Sequence, residues 1–254
     1  MELNYKIFGD IGEDVIILHG LLGSLDNWQT IAKQLSDVYR VWILDQRNHG
    51  RSPHSTDMSY QNMADDLKEF MEHHGMTHAH IVGHSMGGKV AMTFALAYPD
   101  FTDQLIVVDI GPKSYEGDHI PILEAMLDID PEIYKERKEI EGEFSEKIHS
   151  QKIVQLMMKN LGRDSDGFFW KPNVKVLYNV YRELMDNPLK EREFAGKTSF
   201  IKGENSNYIE PEDLDSFRKF FPQAQLYVVP ASGHWLHAEQ PEYFVSLLLE
   251  ILSE

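Results

Sequence analysis

A serine held between glycines at an apolar strand-to-helix junction, Gly83-His84-Ser85-Met86-Gly87, constrains this chain more than any other stretch. His80-Ile81-Val82 before it reads as a buried strand, and Val90 to Ala97 after it reads as a helix that Pro99 stops. Glycine is needed two positions before and after the serine, because strand and helix cross there too closely for side chains. Such a turn holds Ser85 in a strained backbone conformation, with its hydroxyl out over the edge of a sheet. A serine so placed is of the nucleophilic type. An incidental serine in a glycine-rich turn would require none of this flanking order.

The rest of the pattern supplies the sheet. Short Val- and Ile-rich runs recur at Val15 to Leu18, Arg40 to Leu44, Ala79 to Val82, Leu105 to Val108, Ser199 to Ile201 and Leu226 to Val229. Separated by helical patterns, they predict an α/β fold with a mostly parallel sheet buried on both faces. Met1 to Phe8 is expected as an antiparallel ribbon. Each run is followed closely by a polar residue, namely His19, Asp45, Ser85, Asp109, Glu204 and His234. Ligands in open parallel sheets bind at the carboxyl ends of the strands, so these residues should converge on one rim.

At 254 residues the chain suits one α/β domain with an inserted lobe. From Gly111 to Gly196 no strand-like run is seen, and apolar residues recur at helical spacing. Ile122, Leu123, Met126 and Leu127 form one set, Ile153, Leu156, Met157 and Met158 a second, and Val176 to Met185 a third. Glu132 to Lys147 is charge-rich, as on a solvated helix face. The expected organisation is a core of residues 1–110 and 197–254 with a helical cap at 111–196. Phe168, Phe169 and Trp170 are expected mainly in the cap's own core, with some cap side chains facing Ser85.

Composition excludes several classes. A formal net charge of −17 opposes nucleic acid and anionic membranes as partners. The absence of cysteine excludes disulfides, thiolate nucleophiles and cysteine-held metals. No apolar run approaches the roughly 20 residues of a membrane span, and Met1 to Gly20 lacks the pattern of a signal peptide. A cytoplasmic protein is expected, and nothing in the pattern specifies an oligomeric state.

A serine hydroxyl needs a base to take its proton during attack. His234, in Pro230-Ala231-Ser232-Gly233-His234-Trp235 between the last strand and a helix starting at Pro241, occupies the place such a base takes in chain order. His237 is expected at the start of that helix or packed behind His234, and His19, His49 and His84 are expected to serve in turns. The acid is less direct. Its usual position, three residues after the glycine that ends the next-to-last strand, falls in Gly203-Glu204-Asn205-Ser206 on a serine, which cannot balance an imidazolium. Asp109 at the end of the strand after the nucleophile is the first choice. Glu204 competes, with Glu210 and Asp213 further behind. Ser206 would then orient the Asp109 carboxylate or the histidine. Negative charge on an attacked carbonyl needs main-chain donors, expected from Leu21 in His19-Gly20-Leu21-Leu22-Gly23 and from Met86.

Together, His19 to Ser24, Asp45-Gln46-Arg47-Asn48-His49-Gly50-Arg51-Ser52, Gly83 to Gly88, Val108-Asp109-Ile110-Gly111-Pro112 and Gly233-His234-Trp235 resemble the α/β-hydrolase superfamily. More narrowly, they are similar to the small bacterial YbfF-type esterases. That resemblance implies a serine esterase acting on small-molecule carboxylic esters through an acyl-enzyme on Ser85, with acyl-CoA-type thioesters as further substrates. It implies no cofactor and no metal. Polyanionic CoA would need local positive charge, for which Lys135, Arg137 and Lys138 are the candidates. Carbon–carbon bond hydrolysis, perhydrolysis and acyl transfer occur on the same fold, and a ligand receptor retaining the site is the reading from another class.

Overall fold

The computed structural model describes residues 1–189 and 192–254. In chain order the first half contains β1 (Tyr5–Phe8), β2 (Asp14–Leu18), α1 (Gln29–Leu35), β3 (Arg40–Leu44), α2 (Tyr60–His73), β4 (Ala79–His84), α3 (Met86–Ala97) and β5 (Thr102–Val108). There follow α4 (Ile120–Asp128), α5 (Arg137–Lys147), α6 (Gln151–Met158), β6 (Leu161–Arg163), β7 (Phe168–Trp170), α7 (Val174–Asn179) and α8 (Tyr181–Met185). The chain then returns through β8 (Lys197–Gly203), α9 (Leu214–Phe217), β9 (Ala224–Val229), α10 (Leu236–Glu239) and α11 (Pro241–Leu252).

Among the described residues the main sheet has seven strands in the order β1-β3-β2-β4-β5-β8-β9. All its pairings are parallel except the edge strand β1, which runs antiparallel to β3. Alternation along the strands builds two cores, as period-two side chains must when both faces are covered. Ile16, Leu18, Ile81, Leu105 and Val107 pack with Met63, Leu67 and Phe70 of α2 and with Val90 and Phe94 of α3. Val15, Ile17, Val82, Ile106 and Val108 face the other way, against Ile31 and Leu35 of α1 and Phe244 and Leu248 of α11. Each such aliphatic side chain contributes about 1.5–3 kcal/mol by leaving water.

The stretch between Val108 and Lys197 departs from a purely helical expectation. Since β5 and β8 are neighbours in the sheet, everything between them is inserted at one strand-to-strand crossing. Within it β6 and β7 form an antiparallel hairpin, pairing Leu161 with Trp170 and Arg163 with Phe168. The run Val176 to Met185 is not one helix but two short ones that meet at Val180. The charge-rich helix α5 is solvated on most sides, yet it buries Ile140 and Phe144. Phe168 is buried in the core and Phe169 is exposed.

Candidate active site

Ser85 stands where β4 gives way to α3, with φ 53° and ψ −119°, a conformation L-residues rarely hold. The close crossing around it is tight. A Cβ added at Gly83 would lie 2.2 Å from Gly87 O, and one at Gly87 would lie 2.5 Å from Leu18 O. Glycine therefore lets α3 start directly against the ends of β4 and β2. The Ser85 N–H donates to Val108 O at 3.0 Å, locking the turn to the neighbouring strand.

Asp109 occupies the corresponding point beyond β5, fully buried and also at φ 53°. Its own N–H donates to Ile201 O at 2.8 Å, so its main chain is tied to β8. Oδ1 accepts from Gly203 N at 3.0 Å, while Oδ2 accepts from Ser206 Oγ and from His234 Nδ1, the latter at 2.7 Å. An acceptor bound to Nδ1–H leaves Nε2 of His234 as the nitrogen free to take a proton. The imidazole is also stacked face to face with Tyr208, with centroids 4.0 Å apart and planes inclined by 19°. Among the described residues Ser85 Oγ makes no hydrogen bond to His234. Contacts of this kind commonly tighten only when a substrate fills the site.

The competing carboxylates lie elsewhere. Glu204 is exposed and accepts from Ala231 N at 2.8 Å, bracing the loop that carries His234. Glu210 is exposed, and Asp213 pairs with Lys113. The structure thus brings Asp109, Ser206 and His234 into one hydrogen-bonded group and leaves Glu204, Glu210 and Asp213 outside it.

The other predicted residues are placed as follows. Leu21 and Met86 both line the cavity over Ser85, and neither main-chain N–H donates to a partner among the described residues. Leu22, at φ 57°, is pinned by its N–H to His49 Nε2 at 3.2 Å and by its carbonyl to Asn160 Nδ2 at 2.8 Å. His19 Nδ1 donates to Gly20 O at 2.8 Å, and its Nε2 accepts from Gln46 N at 3.1 Å. His84 Nε2 lies 2.8 Å from the main-chain carbonyl of His234, which fixes the loop that carries it. His237 stacks on Trp28, with centroids 4.2 Å apart. Burial drives the pKa of His49 and of His237 down to about 3, and also lowers those of His19 and His84. These imidazoles are neutral and structural. Asp45, another strand-end residue, accepts from Leu25 N at 2.8 Å and Arg51 N at 2.9 Å, shaping the neighbouring loop.

Sequence reasoning missed Tyr208, His119 and Lys89, all of which line the cavity with Tyr60, Tyr115 and Ile110. Lys89 is the one charged residue in the otherwise apolar α3, a signal available without coordinates. Its Nζ donates to the carbonyls of Leu184 at 3.3 Å, Met185 at 3.0 Å and Asp186 at 2.6 Å. Burial lowers its pKa to about 8. Tyr208 and His119 gave no local pattern, because their positions depend on how distant loops meet. Among the described residues no cluster of histidine, aspartate and glutamate could hold a metal ion.

Comparison with known proteins identifies the family. A family profile described as alpha/beta hydrolase fold matches residues 15–241. The sn-1-specific diacylglycerol lipase ABHD11 of Mus musculus is 36% identical over 247 residues, covering 94% of this chain and 80% of that protein. Esterase YbfF of Escherichia coli (strain K12) is 31% identical over 241 residues, covering 94% and 93% respectively. A solved marine microorganism esterase superposes with a TM-score of 0.95 at 42% identity, covering 98% of this chain and 99% of that one. The chain belongs to the α/β-hydrolase family, among the relatives of the YbfF-type esterases.

Proposed function

We propose that the protein hydrolyses small-molecule carboxylic esters through an acyl-enzyme on Ser85. His234 Nε2 takes the Ser85 proton as Oγ attacks the ester carbonyl, and the Leu21 and Met86 N–H groups hold the resulting oxyanion. The same imidazole hands the proton to the departing alcohol and then activates water for deacylation. Asp109 holds the ring in the tautomer that leaves Nε2 unprotonated and balances the charge it acquires, and Ser206 orients Asp109. In this reading residues 1–110 and 197–254 carry the chemistry, and residues 111–196 form the cap that shapes the substrate cavity.

The single observation that carries the proposal is the 2.7 Å contact between His234 Nδ1 and the fully buried Asp109 carboxylate, on the rim where Ser85 occupies its strained turn. The esterase and lipase names of the relatives point the same way. For acyl-CoA-type thioesters the route would be identical, but Lys135, Arg137 and Lys138 are interleaved with the exposed Glu136 and Glu139. Simple esters are therefore the favoured class. The test is continuous release of p-nitrophenol from p-nitrophenyl butyrate, lost in Ser85→Ala. Equal rates in the two proteins, or a single turnover in the wild type, would refute the proposal.

A further inference from the structure

Five side chains with polar atoms line the cavity near Ser85: Tyr60, Lys89, Tyr115, His119 and Tyr208. Three are already occupied. Tyr60 Oη donates to Leu184 O at 2.6 Å, and Lys89 is held by its three carbonyls. Tyr115 Oη donates to Tyr208 O at 2.9 Å and accepts from Gly111 N at 2.8 Å.

The other two are not. Tyr208 Oη has no hydrogen-bond partner among the described residues, although its ring is fixed against His234. Tyr181 Oη accepts the His119 main-chain N–H at 3.0 Å and lies 3.1 Å from Nδ1 of the same residue. The Tyr181 hydroxyl and Nδ1 share one hydrogen bond. Asp118 Oδ1 stands 3.4 Å from that nitrogen without the geometry of a hydrogen bond. Nε2 of His119 is also unpartnered among the described residues and, like the Tyr208 hydroxyl, can take part in one hydrogen bond.

Tyr208 sits on the side of the departing alcohol, and His119 lines the same cavity. A general acid must touch the oxygen it protonates, so the alcohol half of the ester lies beside His234, against which Tyr208 is stacked. There the cavity offers two unpartnered polar groups, His119 Nε2 and Tyr208 Oη. A hydroxyl matches the pair, since it can donate to one and accept from the other. An alkyl group in the same place would leave both unpaired as water is expelled.

We infer that Tyr208 and His119 select esters whose alcohol half bears a further hydroxyl, as in monoesters of diols and other polyols, over esters of plain alkanols with the same acyl group. The inference rests on the ester-hydrolysis reading above and names the substrate class within it. The experiment compares kcat/KM for 2-hydroxyethyl butyrate and ethyl butyrate, measured by acid release. The wild type should favour the hydroxylated ester about tenfold or more. Tyr208→Phe keeps the stacked ring and removes only the hydroxyl, and His119→Phe removes the ring nitrogens. Each should bring the ratio toward one, while His119→Gln, which keeps a group able to donate or accept, should restore part of it. A wild-type ratio near one, or variants that lose both esters in equal proportion, would overturn this inference alone. Absence of turnover on either ester by the wild type would overturn the ester-hydrolysis reading, and this inference with it.

Discussion

The sheet rim and the stretch inserted between Val108 and Lys197 position their side chains by opposite means. On the rim each group hangs on a strand end that the backbone itself fixes: Ser85 N to Val108 O at 3.0 Å, Asp109 N to Ile201 O at 2.8 Å, Glu204 N to Val229 O at 3.0 Å. The inserted stretch uses short elements, such as the six residues of α7 and the five of α8, held to the core by scattered ties. Asn160 reaches Leu22 O at 2.8 Å, Asn173 Nδ2 reaches Asn48 Oδ1 at 3.1 Å, and Tyr60 reaches Leu184 O at 2.6 Å. A main-chain frame leaves little freedom for a group at a strand end, whereas most ties of the inserted stretch to the core run through side chains such as Asn160, Tyr60 and Lys89. In the proposed reading the chemistry rests on the first arrangement, and the inserted stretch helps to shape the cavity.

The comparison is sharpest between the neighbouring strand ends β5 and β8, each of which offers a carboxylate. Asp109→Asn should lower kcat by roughly 10³–10⁴, because the amide both loses its charge and presents the wrong partner to Nδ1–H. Glu204→Gln should leave kcat within about twofold, since its side chain serves a loop N–H at the surface. Steady-state rates on p-nitrophenyl butyrate check both, and a reversed order would move the acid to β8.

A tie from the inserted stretch should matter less. Asn160→Ala frees the Leu22 carbonyl beside the Leu21 N–H, and kcat should fall by about tenfold with a smaller change in KM, as expected when a donor to the oxyanion is misplaced rather than removed. A loss near the size of the Asp109→Asn effect would show that the two regions are not separable in this way.

Acid should weaken the molecule gradually. His49 and His237 stay neutral in the fold, with pKa values pushed to about 3 by burial from an ordinary 6.5. Below pH 6.5 the unfolded chain binds protons that the folded chain refuses, so stability is complete above that pH and declines as pH falls toward 3. Each imidazole contributes up to about 1.4 kcal/mol per pH unit across that window. Urea midpoints at pH 7, 6 and 5 measure the decline. His237→Phe, which keeps an aromatic ring against Trp28 and removes a buried, unpartnered Nδ1, should make it shallower. An unchanged slope would mean that His237 already titrates in the folded protein.

Legibility in the sequence followed the same division. Strands buried on both faces leave continuous Val and Ile runs, and the glycines around Ser85 are dictated by close main-chain crossing, so the sheet and its rim could be read. Strand limits could not, because Thr102 and Gln104 in β5 and Lys202 in β8 are buried polar residues that interrupt the apolar pattern. The hairpin of β6 and β7 escaped notice because strands of three residues are too short to show a period, although the Asp166-Gly167 pair between them is a turn signal. The break at Val180 was hidden by apolar residues that keep helical spacing on both sides. Asp109 could be named once Ser206 stood in the usual acid position, but the ring of Tyr208 over His234 arises only when loops far apart in sequence meet.

The central claim is that Ser85 becomes acylated during turnover. Mass analysis of peptides from protein quenched while hydrolysing p-nitrophenyl acetate tests it most directly. The account predicts an acetyl group on the peptide containing Ser85, with no acetyl group on that peptide in Ser85→Ala treated in the same way. Sustained ester turnover with an unmodified Ser85 peptide, or with the acetyl group on another residue, would contradict it.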